Sequence, residues 1–264
     1  MSNPFPNMPV IDDNNYLDVV DNVVINGDKK QFGLNRRRLP YGALPYSATP
    51  PAEYLLPWDK IKDGIKRLTE TESSLVHVWH KQGYVSLDQN GTNYCWMFGM
   101  VSAMQASRAA AGYEYIPLSP AYGACQIKNF RNEGGWGDES LKWCVEEGVC
   151  SQKEWPQAAI DRRYLTEAAR AEAKKNRITS YWDVPSSLQW TLSLVVQGIP
   201  CPVAFDWWSH LVCAMFGTYY GANDYGLIIL NSWSTSYGDR GFGELRGSRA
   251  NPDDVQAVIG TTPR

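Results

Sequence analysis

The hydrophobic pattern changes period near residue 200. Before that point, Cys95 to about Ala111 reads CWMFGMVSAMQASRAAA, rich in Ala and Met, as a buried helix stopped by Gly112. After it, CPVAFDW, HLVCAMFGTYY, YGLIILNSW, GFGELR and VQAVIG are short apolar or alternating runs divided by turn residues. Such runs read as strands of one antiparallel sheet or partial barrel. Helices in the middle and strands in the last third give an α+β plan with two halves facing one another. Further helices are expected over residues 58–70, where Ile61, Ile65 and Leu68 fall at helical spacing. Others are expected from Asp138, as N-cap, to Glu147 before Gly148, and over 164–176. A last one runs over 186–197, opened by Ser186 and Gln189 at capping-box spacing.

Residues 1 to about 57 differ in kind. Pro4, Pro6, Pro9, Pro40, Pro45, Pro50, Pro51 and Pro57 interrupt any long helix, and only Val19 to Ile25 suits a short strand. A pliable, extended arm is expected, laid over the outside of the main body or onto a neighbouring subunit in preference to the alternative, a regulatory path across the groove near Gly134, Gly135 and Cys95, with the cluster Arg36-Arg37-Arg38 solvated. Residues 58–264 then form the main domain.

At ~100–200 residues per domain, 264 residues make one large domain or two closely packed halves. A formal charge of −3 advertises neither nucleic acid nor an anionic membrane as partner. No stretch approaches the ~18 apolar residues of a membrane span. The start, MSNPFPNMPVIDDNNYL, lacks a basic segment and a long apolar run, so a cytoplasmic location is expected, with a virus particle or other assembly as the alternative. The six cysteines include no C-x-x-C pair and are expected as free thiols rather than a zinc ribbon or disulfide framework. His77 and His80 stand three apart without further ligands beside them, so no metal or cofactor is expected, and a surface or strand placement is.

Three segments carry chemistry. QNGTNYCW runs from Gln89 to Trp96 and ends where the buried helix begins; His210 sits on the apolar strand SHLVCAMFG; Asn231-Ser232-Trp233 opens NSWSTSYGDRGFGEL. The thiolate is the reactive form of cysteine, and a helix N-terminus favours it. A facing imidazole takes the thiol proton and returns it to a leaving amine. A side-chain amide on the other ring nitrogen fixes tautomer and ring angle. Gln89, six residues before Cys95, can join the Cys95 backbone N–H in holding an oxyanion.

These residues resemble the papain family of cysteine peptidases. The family's Q-G-x-C-G-S-C-W stands here as QNGTNYCW, its NSWGxxWGxxGY as NSWSTSYGDRGF, and its Gly-Gly segment as Gly134-Gly135 in NEGGWG. Leu118 to Pro120 and LQWTLSLVVQGIPCPVAF also look like family segments, so the resemblance spans about residues 45–264. It implies a two-lobed fold, a helical lobe over about 95–180 facing a β-barrel-like lobe over about 181–264. It implies Cys95 as nucleophile, His210 as base, Asn231 as its orienting partner and Gln89 at the oxyanion. Gly134 and Gly135 would lie along a peptide or protein substrate, and Trp233 would shield the His–Asn contact at the substrate site. The departures are Thr92 in place of a disulfide cysteine, bulky Tyr94 before the nucleophile, where it could crowd the cleft, and Ser234 and Tyr237 in the NSW segment. The first 57 residues lack the helical pattern of the family's inhibitory prosegment. A structural protein that retains the fold and assembles through the arm as a homo-oligomer is therefore the alternative to a peptidase. Acyl transfer or isopeptide cleavage would use the same three groups.

Overall fold

The structure, a computed structural model, describes residues 5–20, 23–25, 27–41 and 48–263. The strands are β1 (Val10–Ile11), β2 (Val24–Ile25), β3 (Asp28–Lys29), β4 (Ile178–Val184), β5 (Cys201–Phe205), β6 (His210–Gly221), β7 (Asp224–Leu230), β8 (Phe242–Leu245) and β9 (Asp254–Thr261). The helices are α1 (Trp58–Glu70), α2 (Leu75–Lys81), α3 (Cys95–Ala110), α4 (Pro120–Ile127), α5 (Gly137–Glu146), α6 (Glu167–Ala173) and α7 (Leu188–Val195).

The α+β plan is as expected. Strands β4 to β9, with β1 at one end, form a seven-stranded sheet in the order β1-β8-β7-β6-β5-β9-β4. The sheet is open rather than a closed barrel, and every pairing in it is antiparallel except that of β1 with β8. That exception corrects the all-antiparallel expectation: a piece of the N-terminal arm completes the sheet edge, where Glu244 N–H bonds to Pro9 and Arg246 N–H to Ile11. The pair β2–β3 stands apart as a small hairpin; residues 21 and 22 of the expected strand over Val19 to Ile25 lie outside the described ones.

Several boundaries move for local reasons. The helix α7 starts one turn position later than the capping-box spacing suggests, because Ser187, not Ser186, accepts the N–H of Trp190. Asp138 lies in the first turn of α5 rather than at its cap, where it still complements the helix dipole. Thr166 accepts from Ala169 N–H and trims the expected 164–176 helix to α6. His77 and His80 lie on a helix, α2, whose cap Ser74 bonds the His77 ring at 2.7 Å.

Helix α3 is buried on nearly all sides and packs on β5, β6 and β9, which joins the two halves. Gly99 is the closest point of that packing: a Cβ there would sit 2.8 Å from the backbone oxygen of Leu211 and overlap its side chain. Ala is the better helix former by ~1 kcal/mol, but a backbone oxygen on a central strand cannot yield. Gly99→Ala is therefore expected to destabilise the fold by about 1–3 kcal/mol, read as a lower urea midpoint at unchanged slope. An unchanged or raised midpoint would show that α3 and β6 can part without cost.

Candidate active site

Cys95 is the first residue of α3, so its sulfur stands where the free N–H groups of a 16-residue helix converge. His210 is the first residue of β6, presented by a tight turn after β5 in which Ser209 takes the left-handed conformation (φ 49°). Asn231 directly follows β7 and is tied by its N–H to Gly241 at 2.8 Å. The helical lobe thus supplies the thiol, and two neighbouring strands of the sheet supply imidazole and amide.

The amide is well fixed. Asn231 Oδ1 accepts from Ser232 N–H at 2.7 Å and from His210 Nε2 at 2.9 Å. An oxygen that accepts both bonds requires the proton of neutral His210 on Nε2, which leaves Nδ1 as the basic nitrogen. Nδ1 has no hydrogen-bond partner among the described residues. Trp233 stacks on the His210 ring at 5.0 Å and 29°, and Trp208 meets it edge-on at 4.9 Å, so the His–Asn pair is shielded from water.

Gln89 is locked to the same segment. Its N–H donates to Ser232 O at 2.9 Å, and its Oε1 accepts from Ser232 Oγ at 2.6 Å, which turns its Nε2 toward the cleft. Tyr94, expected to crowd the nucleophile, points away: it is fully buried and its hydroxyl donates to Arg131 O at 2.8 Å.

The N-terminal arm does not run outside the body. Residues 30–38 (KQFGLNRRR) lie along the cleft between the lobes. Gln89 Nε2 donates to Gln31 O at 2.8 Å, so a backbone carbonyl of the arm takes the donor expected for an oxyanion. Phe32 meets the rings of His210 and Trp233 edge-on at 5.7 and 5.8 Å. The N–H groups of Gly33 and Leu34 donate to Ser209 O at 3.3 and 3.1 Å. Leu34 pairs with Gly135 as a parallel bridge, through Gly135 N–H to Gly33 O and Asn35 N–H to Gly135 O, both 2.8 Å. Gly134 packs beside Gly33. The Gly-Gly segment therefore holds a peptide backbone, and that backbone belongs to the chain itself. Gly33 has to be glycine, since a Cβ would overlap the Asn93 carbonyl. The arginine cluster is corrected as well: Arg36 is 82% exposed, but Arg37 is only 16% exposed and pairs with Asp183 and Asp254.

Under this cover the site is electrostatically quiet. Burial pushes the Cys95 thiol up to about 12, although the N–H groups of Leu211, Gly33, Trp96 and Leu34 face the sulfur and favour its charge. Burial brings His210 down to about 4, against the opposing bond to Asn231. Thiol and imidazole are both neutral at pH 7. The sulfur lies 4.0 Å from Ser209 O and makes no hydrogen bond to Nδ1, so the expected direct thiol–imidazole bond is absent in this covered state. All six cysteines are buried and free.

The sequence profile of the papain family cysteine proteases matches residues 77–225. The chain belongs to that family. The match contains both Cys95 and His210 and ends before Asn231. Chymopapain of Carica papaya is 26% identical over 207 residues, covering 68% of this chain and 57% of chymopapain. The chain thus spans little more than half the length of that relative. Mexicain of Jacaratia mexicana is 26% identical over 196 residues, covering 66% of this chain and 87% of mexicain. Among solved structures, xylellain, a cysteine protease from Xylella fastidiosa, superposes with TM-score 0.59 at 16% identity over 89% of this chain and 98% of its own. Digestive procathepsin L 3 of Tenebrio molitor larval midgut superposes with TM-score 0.57 at 18% identity, covering 67% of each chain. These likenesses place the two-lobed fold within the papain family.

The path of the arm through the site is the alternative that the sequence reading favours less. Its contacts there are mainly backbone N–H and C=O groups, which any sequence carries; the one signal was a lone Gly33 between apolar Phe32 and Leu34, next to three arginines.

Proposed function

We propose that the protein is a thiol peptidase with Cys95 as nucleophile, held latent in the described state by its own residues 30–38. The observation that carries this reading is the His210 Nε2–Asn231 Oδ1 bond of 2.9 Å, which leaves Nδ1 unoccupied in the cleft where Cys95 begins its helix.

With the cleft vacated and hydrated, His210 Nδ1 takes the Cys95 proton. The sulfur attacks the peptide carbonyl carbon, and the carbonyl oxygen, now negative, is held by Gln89 Nε2–H and the Cys95 backbone N–H. The C–N bond breaks as the imidazolium proton passes to the departing amine. A water then gives its proton to Nδ1 and attacks the thioester. The acid leaves, and the proton returns to sulfur. Asn231 supports both halves by fixing the ring, and Trp233 keeps water from that bond.

Chain direction supports latency. The departing amine must face His210, so a substrate's acyl side extends toward Gly135. The arm runs the opposite way, with Phe32 at His210 and the later Leu34 at Gly135. Its peptide groups therefore do not present a departing amine correctly. The test is hydrolysis of fluorogenic peptide amides by the full chain carrying Gly33→Val, which pushes the arm against Asn93. Turnover that vanishes with Cys95→Ser supports the reading. Turnover that survives it, or the absence of turnover in every folded variant, contradicts it.

A further inference from the structure

The arm fills the cleft with charge as well as backbone. Lys30 pairs with Asp88 at 2.9 Å at one end, and Arg38 lies against Asp138 and Glu139 at 3.3 and 3.4 Å at the other. Most of these groups are partly exposed and screened by water. Arg37 differs. Its two terminal nitrogens reach both oxygens of Asp183, at 2.8 and 2.7 Å, and one of them also binds Asp254. The Asp183 side chain is fully buried and that of Asp254 is 8% exposed.

The two carboxylates stand on neighbouring strands, Asp183 on β4 and Asp254 on β9, where Asp183 is in register with Gln256. Gln256 Nε2 donates to Asp254 Oδ2 at 2.9 Å and fixes that carboxylate from behind. The two carboxylates are therefore carried by paired strands of the sheet, and Asp183 is further fixed where its N–H donates to Ala48 O, a later part of the arm, at 3.0 Å. Two carboxylates withdrawn from water demand a cation, and a planar fork fits them better than an ammonium. Arg37 lies three residues beyond Leu34, whose N–H faces the Cys95 sulfur. At ~3.3 Å per extended residue, the pocket is about 10 Å along the cleft from the nucleophile, on the Gly135 side.

We propose that Asp183 and Asp254 form the specificity pocket of the enzyme for an arginine side chain of the substrate, on the acyl side of the cleaved bond, and that Arg37 is its built-in occupant. The proposal rests on the peptidase reading and names the substrate class: peptides with arginine a few residues before the cleaved bond. The pocket recognises the guanidinium by charge and fork geometry, whichever way the backbone runs. Lysine supplies charge without the fork and is taken less well.

The test uses the full chain carrying Gly33→Val and Arg37→Ala, which vacates cleft and pocket together. Fluorogenic peptides place arginine, lysine or citrulline, the uncharged near-isostere of arginine, at each of four positions before the reporter amide. The same peptides are titrated by tryptophan fluorescence into the chain that also carries Cys95→Ala. At one position the arginine peptide is expected to be cleaved and bound at least about 30-fold better than the citrulline peptide, with lysine between them. Asp254→Asn should shrink that ratio to below about 5-fold. Equal handling of arginine and citrulline, or no binding of either, overturns the pocket, and that comparison decides even if Asp254→Asn does not fold. A ratio unchanged in folded Asp254→Asn also overturns it. Preserved discrimination in binding with no hydrolysis supports the pocket and overturns the peptidase reading alone.

Discussion

Replacing Gly33 by Val should raise the rate at which iodoacetamide alkylates Cys95 at pH 7 by about 100-fold. In the parent chain, burial beneath Phe32, Gly33 and Leu34 holds the thiol at about 12, so roughly one sulfur in 100,000 is ionised at pH 7. A hydrated cysteine returns to ~8.5, which multiplies the ionised fraction by about 3,000. Intrinsic nucleophilicity falls as the pKa falls, with a slope of ~0.45, and takes back roughly 40-fold of this. The remainder is about two decades, before any gain from access. The substitution acts through one overlap, with the Asn93 carbonyl, and leaves the catalytic groups unaltered. The variant's near-ultraviolet dichroism should stay close to the parent's. A change below about 3-fold would mean that the arm does not control the thiol.

Within the Gly33→Val chain, His210→Ala should lower the rate of peptide hydrolysis by about 1,000-fold or more. The base is lost at Nδ1, and so is the acid that protonates the departing amine; no other group with the Asn231 bond can replace it. Asn231→Ala leaves the imidazole in place but frees its tautomer and ring angle, so a smaller loss of about 10–100-fold is expected. The order of the two effects is the informative part. An Asn231 variant as poor as the His210 variant would mean that Asn231 does more than orient the ring. A His210 variant with near-parent turnover would remove it as the base. Single-turnover kinetics with an ester and an amide of the same acyl group would separate the two roles, because an ester leaving group needs less protonation.

The sequence made β5 to β9 and α3 readable for physical reasons. Each of those strands is a short apolar run broken by turn residues, and α3 is an unbroken Ala/Met run between a polar loop and Gly112. Cys95, His210, Asn231 and Gln89 were legible because three motifs stand in one order along the chain. Strand β4 was not legible, since ITSYWDV has buried ends and an exposed middle with no clean alternation. Helix α4 was hidden because PAYGACQI is buried nearly throughout and shows no amphipathic period. The path of the arm depends on contacts across long separations, 146 residues from Arg37 to Asp183 and 58 from Gln31 to Gln89, which no local pattern records. The arm expected outside the body is instead held in the cleft, where Gly33 and paired charges fix an extended segment without any helix.

The central claim is that Cys95 is a peptidase nucleophile covered by its own chain. The direct measurement exposes the parent and Gly33→Val chains, under reducing conditions, to an irreversible thiol-directed peptide reagent and maps the adduct by mass spectrometry. The other five cysteines serve as internal controls, since all are buried. The account predicts one adduct, on Cys95, forming slowly in the parent, rapidly in Gly33→Val, and at neither rate when His210 is Ala. Equal labelling of Cys95 in parent and variant, or an adduct spread over the other cysteines while Cys95 stays free, would contradict it.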